Sequence, residues 1–198
     1  MYIVIEGNIG AGKTSLVNLL CREWNAIPLL EEFAENTFLP KFYQDPSKFA
    51  FPLELSFLAA RFKQMNDLFS NTEHKLVISD YHFQKCLLFA SVNLPADELE
   101  LFRAFFTIMD ERTKKPNLIV YLESDTSRLK MNIEKRGRDY ENAIDSTYLN
   151  KLSEAYSQKM GQLEDRKSLI INVSKLDFVN NTTDLNNIME EIKSHIAL

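Results

Sequence analysis

The sequence holds only two cysteines in 198 residues, Cys21 and Cys86, each set among apolar neighbours. That count gives no disulfide framework, and both read as reduced thiols inside a core. No apolar run reaches the length of a membrane span. Basic residues are the minority, 23 Lys and Arg against 28 Asp and Glu, for a formal charge of −5. This balance argues against a nucleic acid polymer or an anionic membrane surface as partner, so any anion site must be local. The three histidines, His74, His82 and His195, are scattered and give no zinc-ligand spacing. Internal repeats, low-complexity tracts and linkers are missing too, so residues 1–198 are expected to form a single domain. The opening residues read as a strand rather than a charged leader, which makes the cytoplasm the expected compartment.

What the chain does have is an ordinary globular composition, 45% apolar and 26% charged, and one specific motif at its start. Tyr2 to Ile5 form a β-branched apolar run that leads into Gly7-Asn8-Ile9-Gly10-Ala11-Gly12-Lys13-Thr14. Here a glycine is followed after four residues by Gly-Lys-Thr. Glycines let the backbone curl so that successive N–H groups face phosphate oxygens, and the following helix adds the positive end of its dipole. Lys13 would reach the β and γ phosphates of a nucleotide, and the Thr14 hydroxyl would ligate magnesium. Leu16, Val17, Leu20 and Trp24 follow at helical spacing, giving the strand, loop and helix that the motif requires.

Further along, Ala26 to Leu30 reads as a second strand ending in Glu31-Glu32, and Phe38 to Pro52 as a loop with a short helix. Leu55, Leu58, Phe62, Met65 and Phe69 mark a helix over Glu54 to Phe69, with Glu54 and Arg61 on one face. Lys75 to Ser79 is a buried strand with Asp80 at its carboxyl end. Helices are expected from Phe83 to Ser91 and from Asp97 to Arg112, the latter with Leu101, Phe105, Ile108 and Met109 inward. Asn117 to Leu122 is a strand, and Ser124-Asp125-Thr126 can cap a helix that runs to Lys135. The charged break Arg136-Gly137-Arg138-Asp139-Tyr140-Glu141 precedes a helix marked by Tyr148, Leu152, Tyr156 and Met160. A last strand, Ser168 to Val173, and a helix, Leu185 to Ile196, complete an alternation that predicts a parallel three-layer α/β sheet.

Phosphoryl transfer to a hydroxyl needs a phosphate cradle, magnesium, an acceptor for the proton, and cations over the moving group. Glu31 or Glu32 could be the base, or both could be solvated loop acids. Asp80 could hold magnesium through water, or could cap a helix. Arg136 and Arg138, with Lys135, could form a lid over a triphosphate, or a solvated charged face. Glu54 and Arg61 could read an acceptor's polar edge, or be a surface pair worth little. A nucleotide-dependent switch is a third possibility: Ser174-Lys175-Leu176-Asp177 is similar to a guanine-reading element, but no Asp-x-x-Gly follows any strand.

The segments GNIGAGKT, EEFAENTFLPKFY, FPLELSFLAARFKQ, RGRDYE and KLDFVNN, with the acid after the third strand, carry a resemblance over nearly the whole length. The chain resembles the deoxyribonucleoside kinase family, in its bacterial deoxyadenosine and deoxyguanosine kinase branch. The resemblance implies a three-layer P-loop kinase fold around a central parallel sheet of about five strands, with an arginine-bearing lid near residues 132–142. It implies ATP as donor, magnesium, a homodimer built through helices near Glu54 to Phe69 and Phe83 to Ser91, and a purine deoxynucleoside as acceptor, deoxyadenosine first and deoxyguanosine next. A nucleoside monophosphate kinase of the thymidylate type shares these parts and is the alternative. By matching position, Glu31 would be the base on the 5′-hydroxyl, Tyr43 and Glu141 would hold the 3′-hydroxyl, and Arg136 and Arg138 would be the lid arginines. Asp80 would lie near magnesium and the 5′ end, and Asp177 and Phe178 near the donor adenine.

Three positions depart from the family. Tyr81 stands where an arginine follows the acid, and Cys86 replaces the aspartate that accompanies the base-reading arginine, which would leave Arg61 without its usual partner. Glu54 stands in place of a base-reading glutamine. An ionised glutamate only accepts hydrogen bonds, which suits the adjacent donors of guanine; adenine would require its protonated form.

Overall fold

Six consecutive buried residues, Tyr2–Gly7, form strand β1, and their alternation builds both halves of the core. Tyr2 and Val4 point into one apolar cluster with Leu58, Phe83, Phe102 and Tyr156. Ile3 and Ile5 point into the other, with Leu16, Leu20, Ile188 and Ile192. A strand buried on both faces is what a helix-covered parallel sheet demands.

The computed structural model describes residues 1–33, 36–71, 75–162 and 168–196; Ala34, Glu35 and His74 of the sequence reading lie outside them. After β1 come α1 (Lys13–Trp24), β2 (Ile27–Leu29), α2 (Leu39–Gln44), α3 (Pro46–Phe69), β3 (Val77–Ser79), α4 (Lys85–Asn93) and α5 (Ala96–Asp110). The second half holds β4 (Leu118–Glu123), α6 (Thr126–Arg136), a 3₁₀ turn (Asp139–Ala143), α7 (Ser146–Met160), β5 (Ser168–Asn172) and α8 (Thr182–Ile196). The strands lie in the order β2-β3-β1-β4-β5, and every pairing is parallel. The expected five-stranded sheet is therefore present. Chain order reverses at β1, whose carboxyl end opens into the glycine loop, and this is where doubly wound sheets bind ligands.

Two local expectations are corrected. The third helix starts at Pro46, well before Pro52. Asp45 caps it by accepting from the Lys48 N–H at 3.3 Å, and Pro46 supplies a preset first turn. Pro52 then sits inside the helix, where it has no N–H to return to the Lys48 carbonyl. In α5 three of the four residues expected inward face out: Leu101, Phe105 and Ile108 are 50%, 44% and 57% exposed, while Met109 packs against the core as expected. Phe102 and Phe106 are buried in their place. Apolar residues cover two adjoining faces of this helix, so periodicity finds the helix but cannot choose the face that packs.

Candidate active site

The loop after β1 owes its shape to glycines. Gly10 and Gly12 have φ of 84° and 90°, which side-chain-bearing residues rarely adopt. A Cβ on Gly10 would lie 2.6 Å from the Leu129 carbonyl oxygen, and one on Gly12 would lie 2.9 Å from the Phe178 ring. Glu6, buried at the end of β1, fixes the start of the loop. Its carboxylate accepts from Gly7 N at 3.1 Å, His82 N at 2.6 Å and the Tyr156 hydroxyl at 2.9 Å. Asn8 turns its side chain away from the loop's concave face, donating to the Leu149 carbonyl and Ser153 Oγ at 2.8 Å and accepting from Ile9 N. Gly10 O accepts from Asn132 of α6 at 2.8 Å, and Ala11 is buried in the core. Lys13 donates to Asn8 O at 2.9 Å. Burial, then repulsion from Lys85, pulls its pKa down to about 8.

Thr14 Oγ1 donates to Asp80 Oδ2 at 2.5 Å. These are hard oxygens of the kind magnesium takes, and no group of three or more His, Cys, Asp and Glu suited to a metal occurs among the described residues. The pair fits a magnesium ion whose other ligands are phosphate oxygens and water. Asp80 also accepts from the Glu31 N–H at 2.8 Å. The helix beyond it begins only at Lys85, with Gln84 at its N-cap, so the capping reading of Asp80 falls.

Glu31 and Glu32 separate cleanly. Glu32 is exposed. Glu31 has one carboxylate oxygen bound by Nε and Nη2 of Arg61 and the other by Lys85 Nζ at 2.8 Å. Burial alone would raise its pKa, but Arg61 and Lys85 together hold it well below the usual carboxylate range. Arg61, 4% exposed, is no surface residue. Its Nη1 donates to Cys86 Sγ at 3.0 Å, so the cysteine itself takes the bond in place of the usual aspartate. Expected beside a base, the guanidinium lies on Glu31 and over the Phe57 ring. Glu54 is 2% exposed and accepts from Asn93 Nδ2 at 2.7 Å. Burial raises its pKa from 4.5 to about 7, although Asn93, Arg61 and Lys85 oppose the shift.

Tyr43 stacks on Tyr140 at 6.2 Å. Glu141, on the 3₁₀ turn, accepts from Arg136 Nη2 at 2.7 Å and Arg138 Nη1 at 3.1 Å, and Arg138 lies 3.9 Å over the Phe33 ring. Gly137 ends α6 with φ of 66°, a left-handed turn that ends the helix between the two arginines. One cleft, with about 790 Å³ of empty space counted to its open mouth, is lined by Ile9, Gly10, Lys13, Thr14, Glu31, Tyr43, Glu54, Arg61, Asp80, Arg136, Arg138 and Glu141. Asp177 and Phe178 lie outside it: Phe178 packs on Gly12, and Asp177, in the turn before α8, accepts from Asn180. Lys85, Asn93 and Glu6 were missed by the sequence reading. Lys85 had one available signal, a cation opening an otherwise apolar helix.

A phosphate loop, a paired carboxylate and a buried acid lining one open cleft are the layout of a kinase for a small acceptor. The deoxynucleoside kinase family model matches residues 3–197. The chain belongs to the deoxynucleoside kinase family. This kinase is 35% identical over 206 residues to the deoxyguanosine kinase of Bacillus subtilis, covering 99% of this chain and 98% of that protein. It is 26% identical to the deoxyadenosine/deoxycytidine kinase of the same organism, covering 98% and 92%. The solved deoxyadenosine kinase from M. mycoides with bound dCTP shares the kinase's fold, with a TM-score of 0.85 at 24% identity, over 98% of this chain and 100% of that one. The resemblance read from the sequence motifs is borne out.

Proposed function

We propose that the enzyme transfers the γ-phosphoryl group of ATP to the 5′-hydroxyl of a purine deoxynucleoside, with deoxyguanosine ahead of deoxyadenosine, the reverse of the order the resemblance implied. One observation carries this: Glu31 stands in the same cleft as the phosphate loop and Glu54, so one acceptor can span all three. The 5′-hydroxyl donates its hydrogen to the Glu31 carboxylate, which aims the oxygen at the γ-phosphorus and takes the proton as the new O–P bond forms and the bond from the γ-phosphorus to the β–γ bridging oxygen breaks, releasing ADP. Lys13 and the N-terminus of α1 hold the phosphates. Thr14, and Asp80 through water, would hold magnesium, which would offset the charge of the phosphates. Arg136 and Arg138 turn from Glu141 to the moving phosphoryl as a lid over 132–142 closes, and Glu141 with Tyr43 takes the 3′-hydroxyl. The loop at Asp177 and Phe178 flanks the donor adenine. Glu54 reads the base, and its acceptor oxygens support guanine first; deoxyguanosine kinase is also the printed name of the Bacillus subtilis relative at 35% identity.

The whole chain is one catalytic domain, and we infer that it works in the cytoplasm as a homodimer. Its two buried cysteines are unpaired, and no described helix is long and apolar enough to cross a membrane. Beside α3 and α4, the helices expected at the interface, packs α5, whose exposed Leu101, Phe105 and Ile108 would extend the surface a second copy covers. The deciding experiment offers deoxyguanosine, deoxyadenosine and their monophosphates separately with ATP and identifies the products. Nucleoside 5′-monophosphate formation is expected; consumption of the monophosphates alone would favour a nucleoside monophosphate kinase.

A further inference from the structure

The family's arginine after the acid is Tyr81 here, and its ring turns away from the reaction. Tyr81 is fully buried and donates to Gln64 Oε1 at 2.7 Å, while Gln64 donates to the Leu30 carbonyl at 2.7 Å. These two bonds tie the segment after β3 to the end of β2, just before Glu31. A cation nevertheless reaches Glu31 from elsewhere. Lys85 opens α4, its N–H accepted by the His82 carbonyl at 2.9 Å, so the turn after Asp80 sets where its side chain starts. The ammonium lies 5.3 Å from the Phe89 ring centroid, reaches Glu31 Oε2 at 2.8 Å, and is 7% exposed. Arg61 holds the opposite oxygen, Oε1.

We propose that Lys85 is a positioning residue for the transfer: by holding Oε2 of Glu31 it sets the tilt of the carboxylate that receives the acceptor's hydroxyl. Each carboxylate oxygen has two lone pairs. Lys85 takes one on Oε2 and leaves the other directed at the cleft, while Arg61 fills Oε1 with two N–H groups. Without Lys85 the carboxylate would be held on one side only and could rotate about its last bond. Lys85, Glu31 and Lys13 of the phosphate loop line the same cleft. This inference rests on Glu31 being the proton acceptor.

The test measures kcat and KM for deoxyguanosine and ATP in wild type, Lys85→Met, Lys85→Arg, Glu31→Gln and the Glu31→Gln/Lys85→Met double variant, with melting temperatures alongside. Misplacing a reacting group by about 1 Å costs on the order of a hundredfold, so Lys85→Met should lose about tenfold to a hundredfold in kcat. KM for ATP should stay within about twofold, and Lys85→Arg should recover much of the loss. The double variant should be no slower than Glu31→Gln, because a residue acting through Glu31 has nothing further to lose. The proposal is overturned if Lys85→Met keeps wild-type kcat, if Lys85→Arg is no better than Lys85→Met, or if the two losses multiply. Full turnover in Glu31→Gln would instead sink the base assignment on which the proposal stands. A normally melting Lys85→Arg keeps the comparison valid even if Lys85→Met folds poorly.

Discussion

Titrating Glu54 is expected to change which purine the enzyme prefers. The ionised carboxylate accepts the two adjacent guanine donors, N1–H and the exocyclic amine; protonated, it can donate to adenine N1 while its carbonyl oxygen accepts from the amine. Burial raises the group's pKa to about 7, so both forms are populated near neutrality. It is faced by Asn93, Arg61 and Lys85, which favour the ionised form, and by Glu31, which opposes it; Tyr148 stays neutral because burial pushes its pKa well up. From pH 6 to pH 8 the ionised fraction rises about tenfold and the protonated fraction falls about tenfold. The ratio of kcat/KM for deoxyguanosine over deoxyadenosine should then rise by up to about a hundredfold. Effects of pH on ATP, Lys13 and the lid are common to both substrates and cancel in the ratio. Glu54→Gln should flatten the ratio across pH and shift it toward deoxyadenosine. A wild-type ratio that is flat from pH 6 to 8, or one that moves equally in Glu54→Gln, would refute the reasoning. The same carboxyl links stability to pH in the unliganded enzyme. A folded-state pKa of about 7 against an ordinary 4.5 means its contribution is fully present below pH 4.5 and lost as pH rises through 7. The loss is about 3 kcal/mol by pH 8, and urea unfolding at pH 5 and pH 8 should show it in wild type and not in Glu54→Gln.

Gly12→Ala should lower stability by about 2 kcal/mol and weaken ATP binding, because the new Cβ meets the Phe178 ring at a backbone angle suited to glycine; thermal melting and ATP titration check it, and normal values in both would show that the loop can relax. Phe105→Lys should make the enzyme monomeric in sedimentation analysis with little change in melting of the monomer, since Phe105 is 44% exposed. A variant that remains dimeric would move the interface away from α5.

The parts of the fold that local chemistry decides were legible in the chain. The apolar run Tyr2 to Ile5 before the glycines could only be a buried strand, and Leu55, Leu58, Phe62 and Met65 could only be helical. The face of α5 was not legible, because Leu101 and Phe102 are equally apolar and only packing against the neighbouring helices chooses between them. Pro46, as the helix start, was hidden behind Pro52, which suggested a later boundary than Asp45 in fact sets. In the site, residue types at motif positions pointed to Glu31, Asp80 and Glu141. Their partners did not follow: Glu31 meets Arg61 across 30 residues and Lys85 across 54. Such pairs exist only once β2, α3 and α4 converge, and no local pattern records them. Arg61 shows the same limit, since its position suggested a base contact while the folded chain binds it to Glu31 and Cys86.

The central claim, that Glu31 receives the acceptor's proton in an ATP-dependent transfer to a deoxynucleoside, is tested most directly by Glu31→Gln. Steady-state turnover of deoxyguanosine should fall at least about a hundredfold, while titration with ATP gives an affinity close to wild type. Wild-type turnover in that variant would contradict the account.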